Sequence, residues 1–413
     1  MRARYSLFFL LLGLLAGLAL LAGVSRPRPA EPPPAAPPPV LAGIDVLEAE
    51  QFAPLRGKRV GLITNQSGQT SDGRRTIDVL RQAPEVTLAA VFSPEHGLEG
   101  QLSGHVGHSQ DASTGMKVWS LYGRTRRPTP EMLAGLDVLV FDIQDAGVRY
   151  YTYATIMAYA MEEAAKAGVA FMVLDRPNPL NGARVDGPLL DADRLNFEGY
   201  FPLPLRHGMT VGELARLYNA ENRIGAALTV ASMKHWRREQ WFDQTGLRWV
   251  NPSPALVSLS GNTFYPAVEL LRAGDVSVGR GTEEPFEMLG APWIDAEELA
   301  SYLEARKIPG VSFKPAHFTP TSDVHADRRC FGVRLALADR EALDTGRLGV
   351  ELLSALWELY PSHFRLERTI RLLGSSRTMA RIRAGDDPKQ IVEGWKPELE
   401  EFGKLRAKYL LYE

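Results

Sequence analysis

Residues 137–145 read Asp-Val-Leu-Val-Phe-Asp-Ile-Gln-Asp, an apolar run that ends at once in a carboxylate, an amide and a second carboxylate. A continuous Val/Leu/Phe run suits a strand buried on both faces of a parallel sheet. The same pattern recurs along the chain. Arg59–Ile63 ends in Thr64-Asn65, Val86–Phe92 in Ser93-Pro94-Glu95-His96-Gly97, and Val169–Leu174 in Asp175-Arg176-Pro177-Asn178. Helical patterns lie between these runs: Asp72–Arg81, a short Thr129–Leu133 with Pro130 in its first turn, and Tyr153–Ala167. In the last, Ile156, Met157, Ala160, Met161 and Ala164 share a face, and Gly168 stops the helix. Alternating strands and helices predict right-handed crossovers and an α/β fold with a doubly wound, mostly parallel sheet. Ligands of such sheets bind beyond the carboxyl ends of the strands. One rim is therefore expected to gather Glu95, His96, Asp142, Asp145, Asp175 and Arg176.

Working outward, Leu47–Phe52 reads as a short helix ahead of the first strand. A second region begins between 245 and 265, around the proline-punctuated Trp249–Pro254. It holds a helix from its N-cap Asp295 through Arg306, an alternating strand Cys330–Ala336, and helical Arg347–Leu359 and Pro388–Lys408. The expected organisation is a catalytic domain over 43–250 and a smaller mixed α/β C-terminal domain over 251–413. At the other end, Arg2 and Arg4 precede the apolar Leu7–Val24. Residues 1–25 thus form a signal peptide or an N-terminal membrane anchor, and the residues leave both open. Val24 follows Leu21-Ala22-Gly23, so no cysteine is placed for a lipid anchor. Residues 26–42 are a Pro-rich linker, with eight prolines in Arg26–Pro39 and a polyproline reach of roughly 40 Å. The bulk of the chain is expected to be exported: periplasmic, extracellular or anchored to the outer face of the cytoplasmic membrane.

The chain has 413 residues, 45% of them hydrophobic, and a formal net charge of -2. That is ample for a large core and gives no nucleic-acid surface. The single cysteine, Cys330, excludes an intrachain disulfide and reads as a small buried hydrophobe. No GxGxxG follows the first strand, and no GxxxxGK[ST], GxSxG or Ser-x-x-Lys occurs, so no dinucleotide, P-loop or serine-nucleophile chemistry is indicated and no cofactor is expected. His105 and His108, three apart, have no HExxH partner set, and no metal site is expected. Trp236, Trp241, Trp249 and Trp293 read as core rather than as a ligand platform.

Glu95 is the first candidate for a reacting group. It follows a buried strand, near low-dielectric walls that suit a general acid, and His96-Gly97 allow the tight turn that exposes it. Asp142-Ile143-Gln144-Asp145, followed by Arg149, Tyr150, Tyr151 and Tyr153, offers acids, an amide, a guanidinium and rings in one loop. That set suits a sugar, whose faces stack on rings and whose hydroxyls bond polar groups. An Asp145–Arg149 surface ion pair is the plainer alternative. Arg176, Arg206 and Arg280 would favour a carboxylate or phosphate on the ligand.

Eight strings resemble one family. They are Gly61–Gln66, Phe92–Gly97, Val118–Gly123, Phe141–Asp145, Arg149–Tyr153, Leu174–Pro179, Arg206–Thr210 and Ser277–Thr282. Together, over about 43–413, they resemble the exo-β-N-acetylmuramidases, glycoside hydrolase family 171. The resemblance implies a Rossmann-like N-terminal domain, a smaller C-terminal domain, a cleft between them, and release of terminal N-acetylmuramic acid from peptidoglycan fragments in cell-wall turnover. It puts Glu95 at the family's Glu-His motif as the catalytic acid. Asp145 is preferred over Asp142 and Glu283 as the second carboxylate. Substrate contacts are then expected from Asn65, His96, Asp142, Gln144, Arg149, Tyr151, Asp175, Arg176, Asn178, Arg206, His207, Arg280 and Glu283, with one arginine among Arg149, Arg176, Arg206 and Arg280 reading the lactyl carboxylate of muramic acid. The competing hypothesis is a non-catalytic envelope receptor for amino sugars or muropeptides.

Overall fold

The computed structural model describes residues 38–102, 104 and 106–413. The signal or anchor, most of the Pro-rich linker and His105 lie outside those residues. The seven-stranded sheet is built from β1 (Arg59–Thr64), β2 (Thr87–Ser93), β3 (Ser109–Gln110), β4 (Lys117–Ser120), β5 (Val138–Asp142), β6 (Ala170–Leu174) and, beyond a two-stranded ribbon of β7 (Asp186–Leu189) and β8 (Pro204–Arg206), β9 (Leu228–Ala231). Its spatial order is β3-β4-β2-β1-β5-β6-β9. Every pairing is parallel except β3 with β4.

The four apolar runs are the four central strands, and their alternation explains the double winding. Val60, Leu62, Val138, Val140, Met172 and Leu174 enter one core with Ile44, Leu47, Ile77 and Leu80. Those last four come from the helices Gly43–Ala49 and Thr76–Gln82. Ile63, Leu139, Phe141, Phe171 and Val173 face the opposite core with the helices Tyr153–Ala167 and Val211–Glu221. Burial on both faces is what lets these strands be apolar throughout. The Tyr153–Ala167 helix has the predicted bounds and ends on left-handed Gly168, with φ 68°.

The C-terminal part carries an antiparallel sheet of β10 (Met288–Ala291), β11 (Val311–Phe318) and β12 (Cys330–Leu337), in the order β10-β12-β11. Its helices share the larger core: Phe264, Leu348, Leu352 and Leu353 pack in the same cluster as Phe141 and Tyr150. Pro39–Glu413 is accordingly one compact unit. It begins ahead of Gly43 because Val40, 1% exposed, is buried with Met233 and Trp236, and its N–H donates to the Thr245 carbonyl at 3.0 Å.

Several boundaries move for identifiable reasons. The Asp72–Arg81 helix starts only at Thr76, because Asp72 and Arg74 are spent closing a turn on Thr70. The first helix runs over Gly43–Ala49 rather than Leu47–Phe52, with Asp45 accepting from the Ala42 N–H at 2.8 Å, and Gln51 and Phe52 are left-handed. Asp295 caps Ala296–Ala305 through the N–H groups of Glu297 and Glu298. Asp344 caps a helix that starts at Thr345, two residues before Arg347. Pro388–Lys408 splits into Pro388–Glu393 and Lys396–Ala407 because Pro397 cannot continue a helix, though it suits a first turn. Trp236 and Trp241 are buried, Trp249 and Trp293 half-buried. Cys330 is buried, which pushes its thiol up to about 11, as befits an inert core residue.

Candidate active site

A cleft of about 1010 Å³ opens where the carboxyl ends of β2, β4 and β5 meet the C-terminal part. Glu95 and His96 reach it from the turn after β2, which needs left-handed backbone at His96 (φ 71°) and Gly97 (φ 76°). One Glu95 carboxylate oxygen accepts from the Thr152 hydroxyl at 3.0 Å, and its backbone carbonyl accepts from the Tyr153 hydroxyl at 3.1 Å. Tyr122, from the turn after β4, lies beside Glu95; burial and then the Glu95 charge push its hydroxyl up to about 12. His96 is tied back through Nδ1 to the Leu102 carbonyl at 2.7 Å.

Aromatic rings form one wall. Tyr151 meets Tyr153 edge-on at 4.7 Å, and Tyr265 meets Tyr150 at 5.3 Å and Phe286 at 4.8 Å. Burial pushes the Tyr151 hydroxyl well up. A charged stretch adjoins this wall, with the Arg280 guanidinium 5.2 Å from the Phe286 ring. Pro266 lies inside the helix Leu259–Val268, which tightens into the 3₁₀ turn Glu269–Gly274 and so delivers Glu269 and Arg272 to the cleft. Arg280 donates to Glu269 at 2.9 Å, Arg272 donates to Asp323 at 2.7 Å, and Arg280 lies 3.6 Å from Asp323. Burial raises the Glu269 carboxyl against the pull of both arginines. At the rim Arg371 donates to Glu198 at 3.0 Å.

Of the expected site residues, Glu95, His96, Tyr151 and Arg280 therefore share the cleft. The other strand-end groups do not line it. Asp142 is wholly buried, accepting from Arg176 at 2.5 and 2.9 Å and from the Thr76 hydroxyl at 2.5 Å. Asp145 makes no pair with Arg149. It accepts from the Gly147 N–H at 2.6 Å and lies 3.6 Å from buried His207, whose Nδ1 accepts from the Met209 N–H at 3.2 Å. Arg149 is spent on the carbonyls of Pro188, Leu203, Leu372 and Leu373, at 2.6–2.9 Å, and burial lowers it to about 10. Asp175 accepts from Thr210, Gly212 and Tyr412 at 2.6–2.8 Å, and burial raises it to about 6.

Asn178 bridges the Met209 carbonyl and the Leu180 N–H. Arg206 donates to the Leu180 carbonyl and lies 3.7 Å from Asp186. Asn65 accepts from Ser67 at 2.6 Å. Gln144 donates to the carbonyls of Asp145 and Pro177, and with Arg176 it lines a separate cavity of about 110 Å³. Glu283 is exposed and lies outside the lining. The physical reason is common to all of these except the exposed Glu283. A polar group just past a buried strand remains beneath the surface, where it must be paired. The sequence reading missed Glu198, Glu269, Arg272, Asp323 and Arg371, whose positions carry no motif. Tyr122 and Thr152 lie inside two of the quoted strings. No group of three or more metal-binding side chains occurs among the described residues.

A carboxylate at the carboxyl ends of a doubly wound sheet, sharing an open cleft with aromatic rings and arginines, suits a glycoside hydrolase. The N-terminal pattern of "Exo-beta-N-acetylmuramidase NamZ" matches residues 60–260, and its C-terminal pattern matches 263–412. The Peptidoglycan beta-N-acetylmuramidase NamZ of Bacillus subtilis (strain 168) is 44% identical over 378 residues, 90% of this chain and 91% of the relative. Two crystal structures of DUF1343 family proteins from Bacteroides fragilis NCTC 9343 are also similar. One has TM-score 0.84 and 37% identity, the other 0.76 and 30%, and each match covers 91% of this chain and 99% of the other. The chain belongs to the exo-β-N-acetylmuramidase NamZ family.

Proposed function

We propose that the protein is an exo-acting β-N-acetylmuramidase, releasing terminal N-acetylmuramic acid from peptidoglycan fragments in cell-wall turnover. The observation that carries this reading is the cleft itself, lined by Glu95, tyrosine rings and the arginines Arg272 and Arg280, in a member of this family. Glu95 protonates the leaving glycosidic oxygen. Arg280, with Arg272 beside it, reads the lactyl carboxylate that distinguishes muramic acid from glucosamine, a charged recognition that a neutral sugar cannot satisfy. The aromatic wall takes the sugar face. The basic, apolar N-terminus further supports export to the cell envelope as a cleaved or anchored protein. The test is a chromogenic β-N-acetylmuramide incubated with the purified protein, with and without chelator, between about pH 5 and 9. Release is expected at the same rate in both arms. Saturable binding without release would favour a receptor.

A further inference from the structure

We propose that the nucleophile of the reaction is the substrate's own 2-acetamido oxygen, with Glu95 the one protein carboxylate that does chemistry. This rests on the muramidase reading above. Among the described residues, four carboxylates line the cleft: Glu95, Glu198, Glu269 and Asp323. Three are clamped by arginine: Glu198 by Arg371 at 3.0 Å, Glu269 by Arg280 at 2.9 Å, and Asp323 by Arg272 at 2.7 Å. Among the described residues Glu95 makes no ion pair; its carboxylate accepts from the neutral hydroxyl of Thr152, with that of Tyr122 close by. The strand-end acids that could have joined it, Asp142, Asp145 and Asp175, are buried and do not line the cleft: Asp142 and Asp175 are bonded inside the protein, and Asp145 holds the Gly147 N–H through one oxygen while the other has no partner.

A double displacement needs a second carboxylate about 5–5.5 Å from the acid, and inversion needs a base about 6.5–9.5 Å away. Either group must have lone pairs to spare. A carboxylate in charge-assisted bonds to a guanidinium has committed lone pairs to it, most firmly at Glu269, whose side chain is 6% exposed. A sugar with a 2-acylamino group carries its own alternative, since the carbonyl oxygen reaches C1 from the face opposite the leaving group.

The two steps balance. First, the acetamido oxygen bonds to C1, the C1–O bond to the leaving group breaks, and the Glu95 proton goes to the departing oxygen, leaving an oxazolinium ion and the Glu95 carboxylate. Then water bonds to C1, its proton goes to Glu95, the C1–O bond to the acetamido oxygen breaks and restores the amide, and the β-anomer of the free sugar departs. One residue thus serves as acid and then as base. A sugar without the 2-acyl group would bind and not turn over.

The experiment uses aryl β-muramides bearing N-acetyl, N-fluoroacetyl, N-difluoroacetyl and N-trifluoroacetyl groups. Fluorine weakens the carbonyl oxygen as a nucleophile with little change in size. Expected are a stepwise fall in kcat/KM, tenfold or more by the trifluoro compound (about 1.4 kcal/mol of barrier), and a β-anomer as the first product by NMR. Rates indifferent to fluorination, an α-anomer formed first, or a 2-fluoro muramide trapped on a protein carboxylate in mass spectrometry would overturn the proposal while leaving the muramidase reading intact. No hydrolysis of the N-acetyl parent would sink both.

Discussion

Asp142→Asn separates a fold-holding acid from a reacting one. The Asp142 carboxylate is wholly buried, its partner Arg176 is 8% exposed at the side chain, and the bidentate contacts are 2.5 and 2.9 Å. Removing the charge leaves a guanidinium in the interior with only the Gln69 carbonyl, at 2.8 Å, as a remaining strong acceptor. Breaking one side of a buried pair costs about 3–5 kcal/mol. The asparagine oxygen can still accept, so the lower end, about 3 kcal/mol, applies. Unfolding entropy of about 2.1 cal/mol/K per residue, over the roughly 375 residues of Pro39–Glu413, is roughly 0.8 kcal/mol/K. The melting temperature should therefore fall by about 4 °C, read by calorimetry at one scan rate. In the fraction still folded at 25 °C, kcat/KM on an aryl β-N-acetylmuramide should stay within about threefold of the parent, well under 1 kcal/mol of barrier. An unchanged melting temperature with turnover lost about a hundredfold or more, the scale of a missing acid–base group, would show that the strand-end acids do act on the substrate.

Other consequences follow from the same geometry. Burial holds the Asp175 carboxyl up to about 6, above the ordinary value near 3.9, so the native state binds this proton more tightly than the unfolded chain. That contribution to stability is fully present below about pH 4, declines as pH rises through 4 to 6, and is level above; Asp175→Asn should flatten the slope in urea midpoints measured across that window. Arg280→Gln should raise KM for the muramide about tenfold or more, the worth of one charged hydrogen bond, with a smaller effect on kcat. An unchanged KM would transfer the carboxylate-reading role to Arg272 or Arg371.

The architecture was legible because it rests on periodicity. Four strands apolar on both faces, and a Tyr153–Ala167 helix with its stripe and glycine stop, can be read without a structure. The short edge strand β3 and its short neighbour β4 could not. The site divides the same way. Glu95 was legible because its turn projects it past Ser93-Pro94 into the open. Asp142, Asp145 and Asp175 look identical in sequence, yet lie one layer deeper, where Arg176, Thr210 and Tyr412 pair Asp142 and Asp175, and Gly147 holds one oxygen of Asp145. Glu269, Arg272, Asp323 and Arg371 arrive from the C-terminal part through a 3₁₀ turn, a loop and the short helix Ile370–Leu373. Only long-range packing brings them within reach, and no local motif announces it.

Glu95, alone among the acids at the strand ends, is placed to hand a proton to the sugar. The most direct measurement is kcat/KM of Glu95→Gln on the chromogenic β-N-acetylmuramide, with a thermal melt confirming that the variant is folded. A loss of about 10²–10⁴-fold with an unchanged melting temperature is the predicted result. Near-parental turnover by the folded variant would contradict it.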